Sequence, residues 1–297
     1  MPHSQFLAHQ NVVRFARPLD HLAPRAVVAP SGLDAFISRL SALDKLSAEE
    51  LSLVRGLGRF TRSHLPGTEI GANAKPTMSR FVLSGWACQQ RMLGDGRRQI
   101  ISLLLPGDMI GSLDPQDLPT DHSVLALTQV ITVDATVLVK AVASGNPAYR
   151  GLARAARLLA LGETTMLRNQ VVRLGRLTAY ERMVHLLLEL HARLKMAGLA
   201  SPDTFVLPLT QEVLADVLGL SVVHINRILQ QVRHDGLLET RSGQVKILDL
   251  EAMRTAADRK SGSSGCARQS WRGPAGGSPA WVRRSKPPGS KCCRSVR

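Results

Sequence analysis

The sequence contains few aromatic residues and, in its body, almost no cysteine. Only 4% of its 297 residues are aromatic, and three of its four cysteines (Cys88, Cys266, Cys292 and Cys293) lie beyond residue 260. The body therefore holds neither a disulfide framework nor cysteines at metal-ligand spacing. No apolar run is long enough to cross a bilayer, and residues 1–30 lack a signal-peptide core. These absences predict a cytoplasmic protein with no metal, cofactor or membrane partner.

Acidic residues are missing from the last part of the chain. Residues 260–297 hold nine Lys or Arg and no Asp or Glu, so +6 of the formal net charge of +15 remains for the other 259 residues. This body charge is compatible with DNA binding. Ser, Gly, Pro and Arg dominate from residue 258 onward, which predicts a disordered basic tail. The composition leaves open whether the tail adds weak DNA affinity or has no role.

Residues 209–235 have the pattern of a helix-turn-helix. Thr210 is a suitable N-cap, Gly219 ends the first helix, and Ser221 caps a second helix. Apolar residues of the second helix recur at the spacing that buries one face: Ile225, Ile228, Leu229 and Val232. The start of this helix then faces outward, as base reading in the major groove requires. The candidate DNA-contacting residues are Thr210, Ser221, Val222, Val223, His224, Asn226, Arg227 and Gln230.

The residues directly after the two helices favour DNA binding over an ordinary helical hairpin. Residues 237–240 and 244–248 are two strand-like runs around the turn signal Arg241-Ser242-Gly243. A helix-turn-helix with a small hairpin after it is the winged variant of the motif. A helix over residues 177–196 and a short strand at 205–207 precede it.

Residues 60–139 alternate short Val-, Ile- and Leu-rich runs with turns that contain glycine. Strands are predicted at 80–83, 86–92, 99–105 and 130–133, with a hairpin turn at 94–96. Many short strands at near-regular spacing indicate a β-roll or jelly roll. Two helices precede it within residues 33–57, and Ser47 and Glu50 form a capping box for the second.

Asn146-Pro147 opens a long helix that extends to about Gly175. Five of its residues occur at alternating steps of three and four, which is typical of a coiled-coil seam. The predicted dimer interface is Leu152, Ala155, Leu159, Gly162 and Met166. Packing of this helix on its own domain is the alternative. The dimer is preferred because a helix-turn-helix usually spans two half-sites about one DNA turn apart.

This order of parts resembles the Crp/Fnr family of bacterial transcription regulators over roughly residues 33–255. The resemblance rests on residues 81–85 (FVLSG), residues 105–111 (LPGDMIG) and residues 209–232. It implies an α+β protein with an N-terminal sensor roll, a dimerisation helix and a C-terminal winged helix-turn-helix domain. It also implies a homodimer that binds a promoter palindrome in double-stranded DNA, with RNA polymerase as a further partner. Arg227, retained from the family's recognition helix, is the candidate for bidentate guanine contact, and Asn226 for adenine.

Two departures from the family pattern bear on the signal. Nucleotide-binding members carry a Gly-Glu pair and a later Arg, whereas here Ser112 comes after Gly111 and residues 112–130 contain no Arg or Lys. Because a buried phosphate needs a cationic partner, cyclic AMP is not expected as the ligand unless Arg97 or Arg98 supplies the charge. The cysteine cluster of oxygen-sensing members is also missing from the body. Cys88 is expected to be a buried structural cysteine, and His64 a surface or hydrogen-bonded histidine rather than a haem ligand.

The predicted organisation has five parts: a leader (1–32), a cyclic-nucleotide-binding-like roll (33–145), a dimerisation helix (146–176), a winged helix-turn-helix domain (177–257) and the tail (258–297). A β-roll enzyme is disfavoured because residues 60–140 show no catalytic or metal-ligand set. A ligand-binding module of the cyclic-nucleotide type that acts without specific DNA binding is the remaining alternative.

Overall fold

The computed structural model describes residues 32–59, 61–71, 79–111 and 122–257. Nearly all of the predicted leader, the whole predicted tail, Ser112 and the three later cysteines lie outside these ranges. Two helices open the described chain, α1 (Gly32–Leu43) and α2 (Ala48–Gly56), and a 3₁₀ turn at Leu57–Arg59 comes next. The predicted capping box of α2 is confirmed, because Glu50 N donates to Ser47 Oγ at 3.1 Å and Ser47 N donates to Glu50 Oε2 at 2.7 Å.

Within the described residues of the roll there are seven strands: β1 (Thr61–His64), β2 (Arg80–Ser84), β3 (Ala87–Met92), β4 (Arg98–Leu104), β5 (Met109–Ile110), β6 (Ser123–Ala126) and β7 (Val130–Asp134). They pair into two antiparallel sheets of order β1-β7-β2-β5 and β4-β3-β6. The four strands predicted from the sequence are present, and β1, β5 and β6 are additional. Val82, Ala87 and Val130 are fully buried in the roll interior.

The roll leads into α3 (Thr136–Ala143), a 3₁₀ turn at Pro147–Tyr149 and the long helix α4 (Arg150–Arg176). Glu50 joins this helix to α2, since Leu152 N donates to Glu50 Oε1 at 2.6 Å. The buried face of α4 packs in one cluster with Phe36 and Leu40 of α1 and Leu138 of α3. None of the helices in the described ranges has the length and apolar character that a membrane crossing requires.

The placement of α4 corrects the predicted dimer seam. Leu152 and Ala155 are fully buried within their own chain, and Leu159 nearly so, because α1 and α3 cover them. Met166 is half-buried and borders a cavity, and only Gly162 is exposed. The exposed apolar side chains of α4 lie on roughly the opposite side of the helix, at about 100° per residue. They are Leu161, Leu167, Val171 and Val172.

The C-terminal part contains α5 (Ala179–Met196), β8 (Thr204–Val206), α6 (Gln211–Leu218), α7 (Val222–His234), β9 (Leu238–Arg241), β10 (Gln244–Ile247) and α8 (Leu250–Ala257). The strands form a small sheet of order β8-β10-β9. The hydrophobic core of this C-terminal part is continuous with that of the roll. Trp86, Cys88 and Ile100 of the roll belong to the same cluster of buried side chains as the buried residues of α5, α6 and α7. The roll and the C-terminal domain are therefore packed against each other along β3 and β4.

Candidate nucleic-acid interface

Local capping determines where the two helices of the motif begin and end. Thr210 Oγ1 accepts from Val213 N and Ser221 Oγ accepts from His224 N, each at 3.3 Å. Gly219 ends α6 with φ +63°, a left-handed conformation that glycine adopts without a Cβ penalty. These three residues determine where the two helices begin and where α6 ends, as the sequence predicts, and so define the turn between α6 and α7.

The two faces of α7 divide as predicted except at Val222, which was expected on the outward face and instead packs partly against the core. Ile225 and Val232 are fully buried, and Ile228 and Leu229 nearly so. Val223 is 79% exposed, while Val222 is half-buried. The remaining candidates are all exposed side chains: Thr210, Ser221, His224, Asn226, Arg227 and Gln230. The amino-terminal half of α7 is thus available to the edges of base pairs.

Two hydrogen bonds orient the polar side chains on this surface. Arg227 Nη2 donates to His224 Nε2 at 2.8 Å, and Gln211 Nε2 donates to Asn226 Oδ1 at 2.7 Å. The guanidinium retains further donors, which suit the O6 and N7 acceptors of guanine. Gln211 was not among the residues predicted from the sequence. Its signal is its position directly after the Thr210 cap, next to the recognition helix.

The hairpin after α7 is a tight two-residue turn. Ser242 and Gly243 have φ of +50° and +75°, between the paired residues Arg241 and Gln244. Positive φ at both central positions is typical of turns that match the twist of a β-hairpin. Arg241 and Lys246 are exposed on this wing. They are cations suited to phosphate contact that were not among the residues predicted from the sequence.

A chain of buried and half-buried charged groups connects the roll to α4. Asp108, in the turn before β5, binds Arg39 of α1 and Arg193 of α5. Arg193 Nη1 lies 3.6 Å from Glu189 Oε1, and Glu189 in turn binds Arg173 of α4. Burial alone would raise the pKa of Asp108, but the guanidinium groups of Arg193 and Arg39 outweigh it and hold that pKa below its usual value.

A cavity of about 670 Å³ lies between the roll, α4, α5 and α6. Gly111 borders it, as do Arg80 of β2 and Arg193 of α5. The predicted pocket role of Arg97 and Arg98 is wrong. Arg97 Nε lies 2.7 Å from Asp95 at the hairpin tip, and Arg98 Nη2 lies 2.6 Å from Asp216 of α6. Ser112, the fourth predicted pocket residue, is outside the described ranges.

Thr132 binds both Arg80 and His64 on this side of the roll. Arg80 Nε donates to Thr132 Oγ1 at 2.8 Å, and His64 Nε2 lies 2.9 Å from the same oxygen. Burial lowers the pKa of His64, and the positive charges of Arg80 and Arg62 lower it further. His64 is therefore a hydrogen-bonded histidine, as expected from the sequence.

Cys88 is fully buried on β3, where the roll meets the C-terminal domain. Burial raises the pKa of its thiol to about 11. Since the thiolate is the reactive form, this environment makes the sulfur unreactive. The expectation of a structural cysteine is consistent with this burial.

Cys88 is expected to react with a thiol reagent at least about a hundredfold more slowly in the native protein than in urea, from the lower thiolate fraction alone. The measurement uses a variant in which Cys266, Cys292 and Cys293 are serine, so that Cys88 is the only thiol. Equal rates in the folded and unfolded states would contradict the structural role.

Comparison with known proteins places these features in context. Residues 181–256 match the model of a Crp-like helix-turn-helix domain. The nitrogen fixation regulation protein FixK of Bradyrhizobium diazoefficiens is 30% identical over 239 residues, covering 77% of this chain and 98% of that protein. The transcriptional activator protein FnrL of Cereibacter sphaeroides is 29% identical over 215 residues, covering 69% and 82%. The solved structure of FixK2 from Bradyrhizobium japonicum is similar with a TM-score of 0.58 and 25% identity, covering 70% of this chain and 98% of that one. These likenesses confirm the predicted resemblance and fold class.

Proposed function

The chain belongs to the Crp/Fnr family of DNA-binding transcription regulators, and from that premise we propose that it acts as a homodimer on a palindromic promoter site. The observation that carries the proposal is the exposed amino-terminal half of α7, with Arg227 and Asn226 oriented by neighbouring side chains. One such surface reads a single half-site. A two-fold symmetric dimer presents two such surfaces to a palindromic site whose half-site centres are about one DNA turn apart.

Each candidate residue has a proposed role at this interface. Arg227 donates to guanine and Asn226 bonds to adenine, while Val222 and Val223 make apolar contacts such as those with a thymine methyl. Thr210, Ser221, His224 and Gln230 contact the DNA backbone. The absence of a charged side chain at the two valines predicts an operator different from that of the cyclic AMP receptor protein.

The dimer interface is proposed on the exposed apolar side of α4. Val171 is 71% exposed and Val172 54% exposed, and Leu161 and Leu167 continue the same side of the helix. Exposed apolar side chains on one side of a long helix are suited to packing against a second helix. Pairing of two α4 helices would remove these side chains from water.

Val171→Glu is expected to weaken dimerisation by about tenfold or more, because it places a carboxylate in an apolar seam. Sedimentation equilibrium of the full chain measures the dissociation constant. Val137→Glu is the matched control, since Val137 is also an exposed helical valine, on α3. Equal dissociation constants for the two variants would place the interface elsewhere.

The proposed consequence on a promoter is contact with RNA polymerase, in keeping with relatives named as transcriptional activators. We propose no catalytic activity for the chain. Cyclic AMP is not the proposed signal, because the residue after Gly111 is serine and residues 112–130 supply no Arg or Lys.

Selection of bound duplexes from a random DNA pool by the full chain tests the proposal. We expect an enriched sequence with two inverted half-sites. Retention of only a single half-site, or of no sequence, would overturn the homodimeric function. Repeating the selection with R227A separates base reading from backbone attraction.

A further inference from the structure

The carboxyl end of α6 is held by side chains from three other elements. A helix leaves its last carbonyl groups without intrahelical partners. In α6, Asp216 O accepts from Gln99 Nε2 of β4 at 2.8 Å, and Val217 O accepts from Gln170 Nε2 of α4 at 2.8 Å. Leu218 O accepts from Arg182 Nη1 of α5 at 3.1 Å. Three successive carbonyls are thus bound by the roll, the long helix and the helix after it.

Each of the three donors is itself fixed in place. Gln99 Nε2 also donates to Ile100 O at 2.8 Å, and its neighbour Arg98 binds the Asp216 carboxylate. Arg182 Nε donates to Leu177 O at 2.9 Å, at the junction between α4 and α5.

Gln170 is the most enclosed of the donors. It is 8% exposed, and its Oε1 accepts from Arg173 Nη1. Arg173 is the last residue of the series of ion pairs described above, which begins at Asp108 in the roll and continues through Arg193 and Glu189. Asp108 in the roll is therefore connected to the carbonyl of Val217 through a series of ion pairs and hydrogen bonds.

We propose that Gln99, Gln170 and Arg182 are positioning residues for DNA recognition, which fix the direction of α6 and with it the distance between the two α7 helices of a dimer. The proposal rests on the homodimer proposed above. Because α4 carries the dimer interface, the angle of α6 on α4 determines where each α7 meets the duplex. Adjacent base pairs are separated by about 3.4 Å along the axis, so a small rotation of α6 changes the preferred spacing of half-sites.

The chemistry of the donors makes the proposal specific. A glutamine amide donates to a carbonyl, whereas a glutamate carboxylate of almost the same shape cannot. Gln170→Glu and Gln99→Glu therefore remove the bond to α6 with little change in volume. Gln129→Glu is the matched control, because Gln129 is exposed on the roll and lies in neither set of contacts.

The experiment measures affinity of the full-length chain for duplexes whose two half-sites are separated by a spacer varied one base pair at a time, and for a duplex with a single half-site. We expect the wild type and Q129E to prefer one spacer by about tenfold or more. Q170E and Q99E should lose at least about fivefold on that spacer and change the order of preference, with single half-site affinity held within about twofold.

An unchanged spacer profile in both variants would overturn the proposal. So would an equal loss on every duplex, the single half-site included, since that is the result of a weakened fold; thermal melting of each variant identifies this case. Gln99 is half-buried on β4, so Q99E serves as the second variant if Q170E does not fold. A wild type without any preference for paired half-sites would count against the homodimer itself, before any variant is compared.

Discussion

Asp108→Asn is expected to lower the free energy of unfolding by about 3–5 kcal/mol, the range for removing one partner of a buried ion pair. Asp108 is 4% exposed and binds both Arg39 and Arg193. Its Oδ2 also accepts from Leu105 N at 2.7 Å. Asparagine keeps the shape but presents an NH₂ donor to groups that are themselves donors. The variant would leave Arg193, whose side chain is only 9% exposed, without its anionic partner in the roll.

Chemical denaturation at several pH values measures this effect. The pKa of Asp108 is depressed in the fold, so its stabilisation is fully present above the unfolded-state pKa of about 3.9 and is lost as the pH falls through the lower folded value. The difference in stability between wild type and variant should therefore be largest at neutral pH and narrow in acid. Asp95→Asn is the control, because the Asp95–Arg97 pair is exposed and its loss should change stability little. Equal effects of the two substitutions would contradict the role given to burial.

The predicted elements that the structure confirms are those whose pattern is local. Thr210, Gly219 and Ser221 determine the two helices of the motif through bonds to residues within four positions. The turn at Ser242-Gly243 is determined by two adjacent residues in the same way. Such signals are contained in a short stretch of sequence and can be recognised there.

The predicted dimer seam was wrong because its spacing has two explanations. Steps of three and four show that one face of a helix is buried but not what covers it. On α4 the cover is α1 and α3 of the same chain, which are separate elements earlier in the sequence. The apolar stripe left exposed, around Leu161 and Val171, is interrupted by Thr164 and Arg168 and gives a weaker periodic signal.

Contacts between distant parts of the chain were not predictable. The register of β3 and β4 shifts between Gln89 and Gln90, and a shift of one residue changes the face on which a side chain lies. Arg98 pairs with Asp216, 118 residues later, and does not border the cavity. The bond from Gln170 to Val217 O likewise spans 47 residues. No local sequence motif predicts either contact.

Arg227→Ala is expected to reduce discrimination at one base pair of each half-site by about 1–3 kcal/mol, or roughly 5- to 150-fold, if Arg227 makes the proposed bidentate contact with guanine. The side chain is exposed near the start of α7, and its bond to His224 holds the guanidinium on the surface that enters the groove. Alanine removes the fork of donors without altering the buried face of the helix. The loss should be confined to that position of the operator, because a contact with a base edge is specific to it.

Competition binding against operators mutated one base pair at a time measures the profile. Arg233→Ala is the matched control: Arg233 is exposed in the carboxyl-terminal half of the same helix, so its loss removes the same charge without removing a base contact. R233A should weaken all operators about equally and lower the salt dependence of binding, whereas R227A should lower the preference at a single position in each half-site. If R227A leaves the preference at every position unchanged, or gives the same uniform loss as R233A, then Arg227 contacts phosphate and the base that defines the half-site is read by another residue.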